Sequence, residues 1–249
     1  MRAWTDEERL LALVLYHQLP FGQIHSRNPL IIRVSEGMGR TPSSLAMKML
    51  NFASLDPLIR ESGRRGLGNA SVGDRHIWKE FEAHREEAVN KFEQRLESLG
   101  LAEPPDDIPK NETEILRIVK QRRGQRFFRA SVMASYNSTC CISGLSDPRL
   151  LIASHIVPWR DDEQARLDPR NGLCLSSLHD RLFDAGIITV TPEYRICVSP
   201  NYIRTRTDDF SVHHIHSLDG EYIALPQKFA PLALYLDYHN HNVFDQNNL

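Results

Sequence analysis

Apolar residues near the start of the chain recur at helical spacing. Leu10, Leu11, Val14 and Leu15 follow Thr5-Asp6-Glu7-Glu8, where the Thr5 hydroxyl can take an orphan amide and Glu8 can reach back to close a capping box. Pro20 and Gly22 end that helix. A second helix is expected over 29–36, stopped by Gly37 and Gly39. A third opens at Thr41-Pro42, with Thr41 as N-cap and Pro42 in the first helical position, and it carries Leu45, Met49 and Phe52 on one face. Asp74 is expected to cap a long helix running to Leu99, with Ile77, Phe81, Ala88, Phe92 and Leu96 on one side and Gly100 just past its end. One or two further helices cover 114–136. The pattern then shortens. Residues 141–144 and 150–157 are brief apolar runs separated by Asp147-Pro148, as in a hairpin. Residues 170–175 read as a loop, and a helix opens at His179 and stops at Gly186. Residues 187–190 and 195–198 read as two strands around a Thr191-Pro192 turn, and 232–238 as an amphipathic stretch in the tail.

Two connectors separate these regimes. Residues 61–73 form a Gly-rich loop with Arg64 and Arg65, and 102–111 (AEPPDDIPKN) are Pro- and Asp-rich, as an interdomain linker would be. The fold class expected is α+β: a helical N-terminal domain over 1–101, a linker over 102–112 and a mixed domain over 113–249. A chain of 249 residues can bury two modest cores. Its 41% hydrophobic and 25% charged content is ordinary for a folded protein. No apolar run approaches the roughly 18–20 residues that span a bilayer, and the acidic start MRAWTDEERLL is unlike a secretory leader. No membrane partner and a cytoplasmic location are therefore expected. Cys140, Cys141, Cys174 and Cys197 lack the paired C-x2-x4-C spacing of a zinc knuckle, so they read as buried thiols and structural zinc is not expected. His213, His214, His216, His239 and His241 have no carboxylates at ligand spacing and read as surface or packing residues.

The chemistry concentrates in three pieces: Ser154-His155-Ile156-Val157-Pro158-Trp159, then Asp168-Pro169-Arg170-Asn171-Gly172-Leu173, then Leu178-His179-Asp180-Arg181-Leu182-Phe183-Asp184. Phosphodiester hydrolysis needs a base to activate water, a divalent cation to offset the charge developing on phosphorus, and a group that keeps the base aimed. A His at a strand end, an Asn in the following loop and a His or Asp on the next helix can fill those roles. With Pro158-Trp159, Asn171-Gly172-Leu173 and Phe183-Asp184-x-Gly186 in this order, the stretch from about 117 to 244 resembles the HNH (ββα-metal) endonucleases, in particular their restriction-type branch.

That resemblance implies a C-terminal ββα-metal nuclease domain in which His155 is the general base and Asn171 fixes its orientation. His179 is a candidate for catalysis and for metal binding. Relatives place a helix ligand nine residues after the Asn, which is Asp180 here, so His179 and Asp180 both stand as metal ligands; Asp184, one turn on, is a weaker candidate. Many relatives carry an acid or His just before the base, where this chain has Ser154. A site with few protein ligands suits Mg2+ or Mn2+ completed by water and phosphate.

Net charge is only −2, but residues 116–130 hold six cations (Arg117, Lys120, Arg122, Arg123, Arg126 and Arg129) and no acid. Arg122, Arg123 and Arg126 are therefore expected at DNA phosphates, with Phe127 and Phe128 anchoring their helix to the core. The three leading helices, with Trp4 and Gly39-Arg40-Thr41-Pro42-Ser43-Ser44, resemble a Myb-like or helix-turn-helix module. In one reading Arg40 and Lys48 meet DNA from the third helix; in the other the domain only packs on a partner. The function expected is metal-dependent DNA hydrolysis in restriction or antiphage defence, with a homodimer cutting both strands. The rival is a DNA-binding regulator with a degenerate HNH fold.

Overall fold

The computed structural model describes residues 2–61, 68–101 and 112–244, with backbone alone at 61 and 112–119. The centre of the Gly-rich loop with Arg64 and Arg65, the Pro-rich stretch 102–111 and the Arg117 side chain lie outside the described residues. The chain divides into two compact units, Met1–Ser135 and Tyr136–Leu249.

The first unit is helical: α1 (Asp6–Gln18), α2 (Pro29–Gly37), α3 (Pro42–Ala53), α4 (Pro57–Glu61), α5 (Val72–Ala83), α6 (Arg85–Ser98) and α7 (Glu112–Ser135). The expected caps form. Thr5 and Glu8 close a capping box on α1, and Thr41 accepts from the Ser44 amide at the start of α3. A single apolar stripe on α1 is the expectation. Instead every residue from Leu11 to His17 is buried, because α3, α5, α6 and α7 all pack on this helix; an element apolar all round belongs in the middle of a core. The long helix expected from Asp74 to Leu99 is two, broken at His84. Its cap is Ser71, and Asp74 serves as the third residue of a second capping box, accepting from the Ser71 amide. The basic helix α7 packs on α1 and α6. Phe127 is fully buried against Phe81 and His17, and Phe128 is buried too, as their anchoring role requires.

The second unit contains β1 (Leu151–His155), β2 (Gly172–Ser176), α8 (Ser177–Asp184), β3 (Ile188–Val190), β4 (Ile196–Val198), α9 (Pro200–Thr205), α10 (Asp209–His214) and α11 (Ala233–His239), the last running into a π-helical turn, Asn240–Phe244. The hairpin expected between 141–144 and 150–157 does not form. β1 pairs antiparallel with β2, from Leu151↔Ser176 to His155↔Gly172, so the segment expected to be a loop at 170–175 is largely strand. Residues 140–145 make a tight turn instead, with Gly144 N–H bonded to the Cys140 carbonyl and Cys140 N–H to the Leu145 carbonyl. The apolar runs were adjacent in sequence, but β2 offers a fully buried strand against which β1 gains more. α8 packs on both strands, burying Leu182 and Phe183. Gly186, at φ +65°, ends α8 where an L side chain would be strained, and Ile187 N–H returns to the Leu182 carbonyl. β3 and β4 form the second two-stranded sheet, as expected. Among the described residues no helix is long and apolar enough to cross a membrane.

Candidate active site

His155 is the last residue of β1, where the strand gives way to the connection toward β2. Its Nε2 lies 2.9 Å from the Arg166 carbonyl. A carbonyl can only accept, so Nε2 carries the proton and Nδ1 is the basic nitrogen. The ring meets Trp159 edge-on at 5.6 Å, and the Arg166 guanidinium lies 5.4 Å from the centre of the same indole. Arg166 Nε also donates to the Trp159 carbonyl at 2.7 Å. Burial lowers the His155 pKa below the ordinary imidazole value, because the charged form loses hydration. The neutral, proton-accepting ring is thereby favoured at neutral pH.

Asn171 closes the connection that begins at His155. Fully buried, it accepts at Oδ1 from Val157 N–H at 2.8 Å and donates through Nδ2 to the carbonyls of Val157, at 3.1 Å, and Ala165, at 3.2 Å. Its own carbonyl accepts from Ile156 N–H at 2.9 Å. The Asn side chain thus satisfies three backbone groups of a buried loop and fixes the exit of the strand that carries His155. Asp168, buried beside it, holds Arg170 through a bidentate contact and accepts from the Tyr235 hydroxyl at 3.4 Å.

The two candidate metal ligands on α8 point to different neighbours. His179 is buried and its Nδ1 sits 2.9 Å from Ser176 Oγ and 3.5 Å from Cys140 Sγ. Cys140 Sγ also accepts from the amides of Ser143 and Ser176. Burial would raise this thiol, but His179 and the Ser143 and Ile142 hydrogen bonds outweigh it and bring the pKa to about 6. Through Nδ1, His179 therefore ties the turn at Cys140 to the start of α8. One residue along a helix is a rotation of about 100°, which is what separates it from Asp180.

Asp180 is buried next to Ser154, the residue before His155. Burial raises its carboxyl, with Ser154 and Arg181 pulling the other way. Asp184 is raised by burial and then by the charge of Asp180. Ser154 Oγ is itself buried and completes no well-formed hydrogen bond. Two like-charged carboxylates with the Ser154 hydroxyl beside them are oxygen donors whose charge a hard divalent cation would relieve, so the residues present fit such a group. Asp184 and His155 line one cleft of about 210 Å3, together with Arg160, His239 and Asn242. The last two come from the far end of the chain, and no local motif announces them. His239 stacks on Phe183 at 3.6 Å and bonds Thr189 and the Phe183 carbonyl, which makes it the packing residue expected.

The cations expected at DNA are largely engaged within the helical unit. Arg40 pairs with Glu8 at 2.7 Å and lies 4.0 Å from the Trp4 ring centre. Burial alone would raise Glu8, but the Arg40 and Thr5 hydrogen bonds hold it below the usual range. Lys48 is buried on Asp74 at 2.8 Å. Arg123 pairs with Glu97, and Arg126 with Glu93 at 3.5 Å; the acid-free run thus meets its acids on the neighbouring helix α6. Arg40, Lys48 and Arg123 are consumed by folding, because a cation sunk in such a pair is not offered to a phosphate. Arg122 stays exposed on α7.

No curated protein matches the chain. Residues 140–191, the stretch that carries His155, Asn171, Asp180 and Asp184, match the HNH endonuclease family, which points to nuclease action on nucleic acid.

Proposed function

We propose that the second unit is a metal-dependent DNA endonuclease that hydrolyses phosphodiester bonds. The observation that carries this reading is the His155 imidazole, held by the Arg166 carbonyl so that Nδ1 is the basic nitrogen, in a cleft that also contains Asp184. His155 takes a proton from the attacking water at Nδ1. Asn171 keeps the strand end and its loop in place while this happens. Asp180 and Asp184, with Ser154 beside them, would hold Mg2+ or Mn2+. When bound, that cation would offset the negative charge developing on the phosphate oxygens. The resemblance of the His155, Asn171 and Phe183-Asp184-x-Gly186 pieces to restriction-type enzymes supports a place in restriction or antiphage defence, by analogy of sequence alone. One such site cuts one strand, so double-strand breaks would require two copies.

Purified protein is incubated with supercoiled plasmid, modified or unmodified, and Mg2+ or Mn2+. Nicking is expected, chelation stops it, and His155→Ala lowers it by about 10²–10⁴-fold, the usual contribution of a general base. Nicking by His155→Ala at the wild-type rate overturns the assignment. A second reading, a DNA-binding regulator with a degenerate nuclease fold, draws on Ser154 at the ligand position and on the finding that among the described residues no three His, Cys, Asp or Glu side chains converge as a metal cluster. It predicts duplex binding without any nicking in either metal.

A further inference from the structure

The matched family stretch ends at residue 191, yet one wall of the cleft is built by residues 239–243. The tail that supplies this wall is fastened to the ββα core at several points. Leu232 N–H bonds the Arg170 carbonyl at 3.2 Å, the Tyr235 hydroxyl reaches Asp168, and His239 stacks on Phe183. A further tie has a different character. The Tyr238 hydroxyl donates to Asp161 Oδ2 at 3.2 Å, and Asp161 Oδ1 lies 3.3 Å from Arg160 Nε. Asp161 thus links the tail helix to the one Lys or Arg among the residues lining the cleft. The Arg160 side chain is 86% exposed with Asp161 beside its Nε, so the guanidinium stands in solvent at the mouth of the cleft it helps to line. Asn242, also exposed, spends one Nδ2 hydrogen on the Tyr238 carbonyl at 2.8 Å; an amide nitrogen has a second.

We infer that Arg160 and Asn242 form a clamp for the nucleic-acid backbone at the mouth of the catalytic cleft, with Tyr238 and Asp161 as the residues that position Arg160. The inference rests on the endonuclease reading and deepens it. A cleft lined by a base and the Asp184 carboxylate repels a polyanion unless donors stand at its rim, and a guanidinium fork matches phosphate oxygens geometrically. The contact is to phosphate, so it carries no base preference.

Binding of a fluorescent duplex is measured by anisotropy across a salt series, in a His155→Ala background with Ca2+ so that no cleavage intervenes. Adding Arg160→Ala is expected to weaken binding several-fold and to lower the log-log salt slope by about one, while Arg160→Lys keeps the slope. Tyr238→Phe, which leaves the ring in place, weakens binding with the slope unchanged. In the active protein Arg160→Ala raises KM for plasmid more than it lowers kcat. Arg160→Ala binding with the parent's affinity and slope overturns the clamp even if the wild type nicks DNA. A wild type that binds duplex but never nicks overturns the endonuclease reading beneath it.

Discussion

At the scale of single residues, the site depends on an amide and on which side of a helix a carboxylate faces. Asn171→Ala would strand the Val157 amide and the Val157 and Ala165 carbonyls, each costing about 1–3 kcal/mol when buried without a partner. The expected outcome is a loss of about 3 kcal/mol or more, read as a lower urea midpoint, together with loss of nicking. Asn171→Asp, which keeps the acceptor and drops both donors, should fall between. On α8 the two neighbours separate. Asp180→Asn is expected to raise the metal concentration needed for half-maximal nicking. His179→Ala is expected to leave that requirement alone and cost about 1 kcal/mol, because Ser176 Oγ and Cys140 Sγ lose the ring as a partner but keep their backbone amides; an unchanged metal titration for Asp180→Asn would remove it from the ligand set. The motif that carries His155 and Asn171 is local and so could be read in sequence. The different neighbours of His179 and Asp180 could not, since they depend on the phase of α8 and, for His179, on Cys140 from a turn far back in the chain.

At the scale of elements, ion pairs decide what the cations of the helical unit do. Lys48 on α3 and Asp74 at the start of α5 are both buried. Burial alone would raise Asp74, but Lys48 and Ser71 hold it below the usual carboxylate range. Such a depressed carboxylate contributes stability above its unfolded pKa, lost as the pH falls through its folded one. Lys48→Met removes the main partner of Asp74, which keeps Arg9 at 3.4 Å and the Ser71 amide, so it is expected to cost less than the about 3–5 kcal/mol of a fully orphaned buried charge, and the gap should narrow in acid as Asp74 takes up a proton; thermal melts at neutral and acid pH check both. The helices and their caps were readable from period and capping residues. The partners of the basic helix were not, because Glu93 and Glu97 lie on α6, across a stretch of sequence that carries no pairing signal. In the tail, burial lowers His239 from 6.5 to about 4. The unfolded chain accepts a proton that the folded ring refuses, so this contribution is complete above pH 6.5 and is lost as the pH falls toward about 4, amounting to about 3 kcal/mol. His239→Gln should flatten the stability-against-pH curve over that window; a curve parallel to the wild type would show that the ring titrates normally.

At the scale of the whole molecule, two units each enclose their own core. Calorimetry is expected to resolve two transitions, of which Lys48→Met lowers one; a single transition shifted as a whole would contradict this. Two parts were legible from the change in hydrophobic period, but the compact division falls at Ser135 and Tyr136, because α7 has its aromatic anchors on the helical side, where Phe81 and His17 receive Phe127. The dimensions of the cleft carry a last consequence. At about 210 Å3 it is smaller than the roughly 300–1,000 Å3 of pockets that engulf a drug-sized ligand, and a whole nucleotide swung out of its stack would not fit inside. In the proposed endonuclease this opening would therefore meet the sugar-phosphate backbone without enclosing a base. Any choice among sequences, or between marked and unmarked DNA, has to be exercised by surfaces beyond this opening.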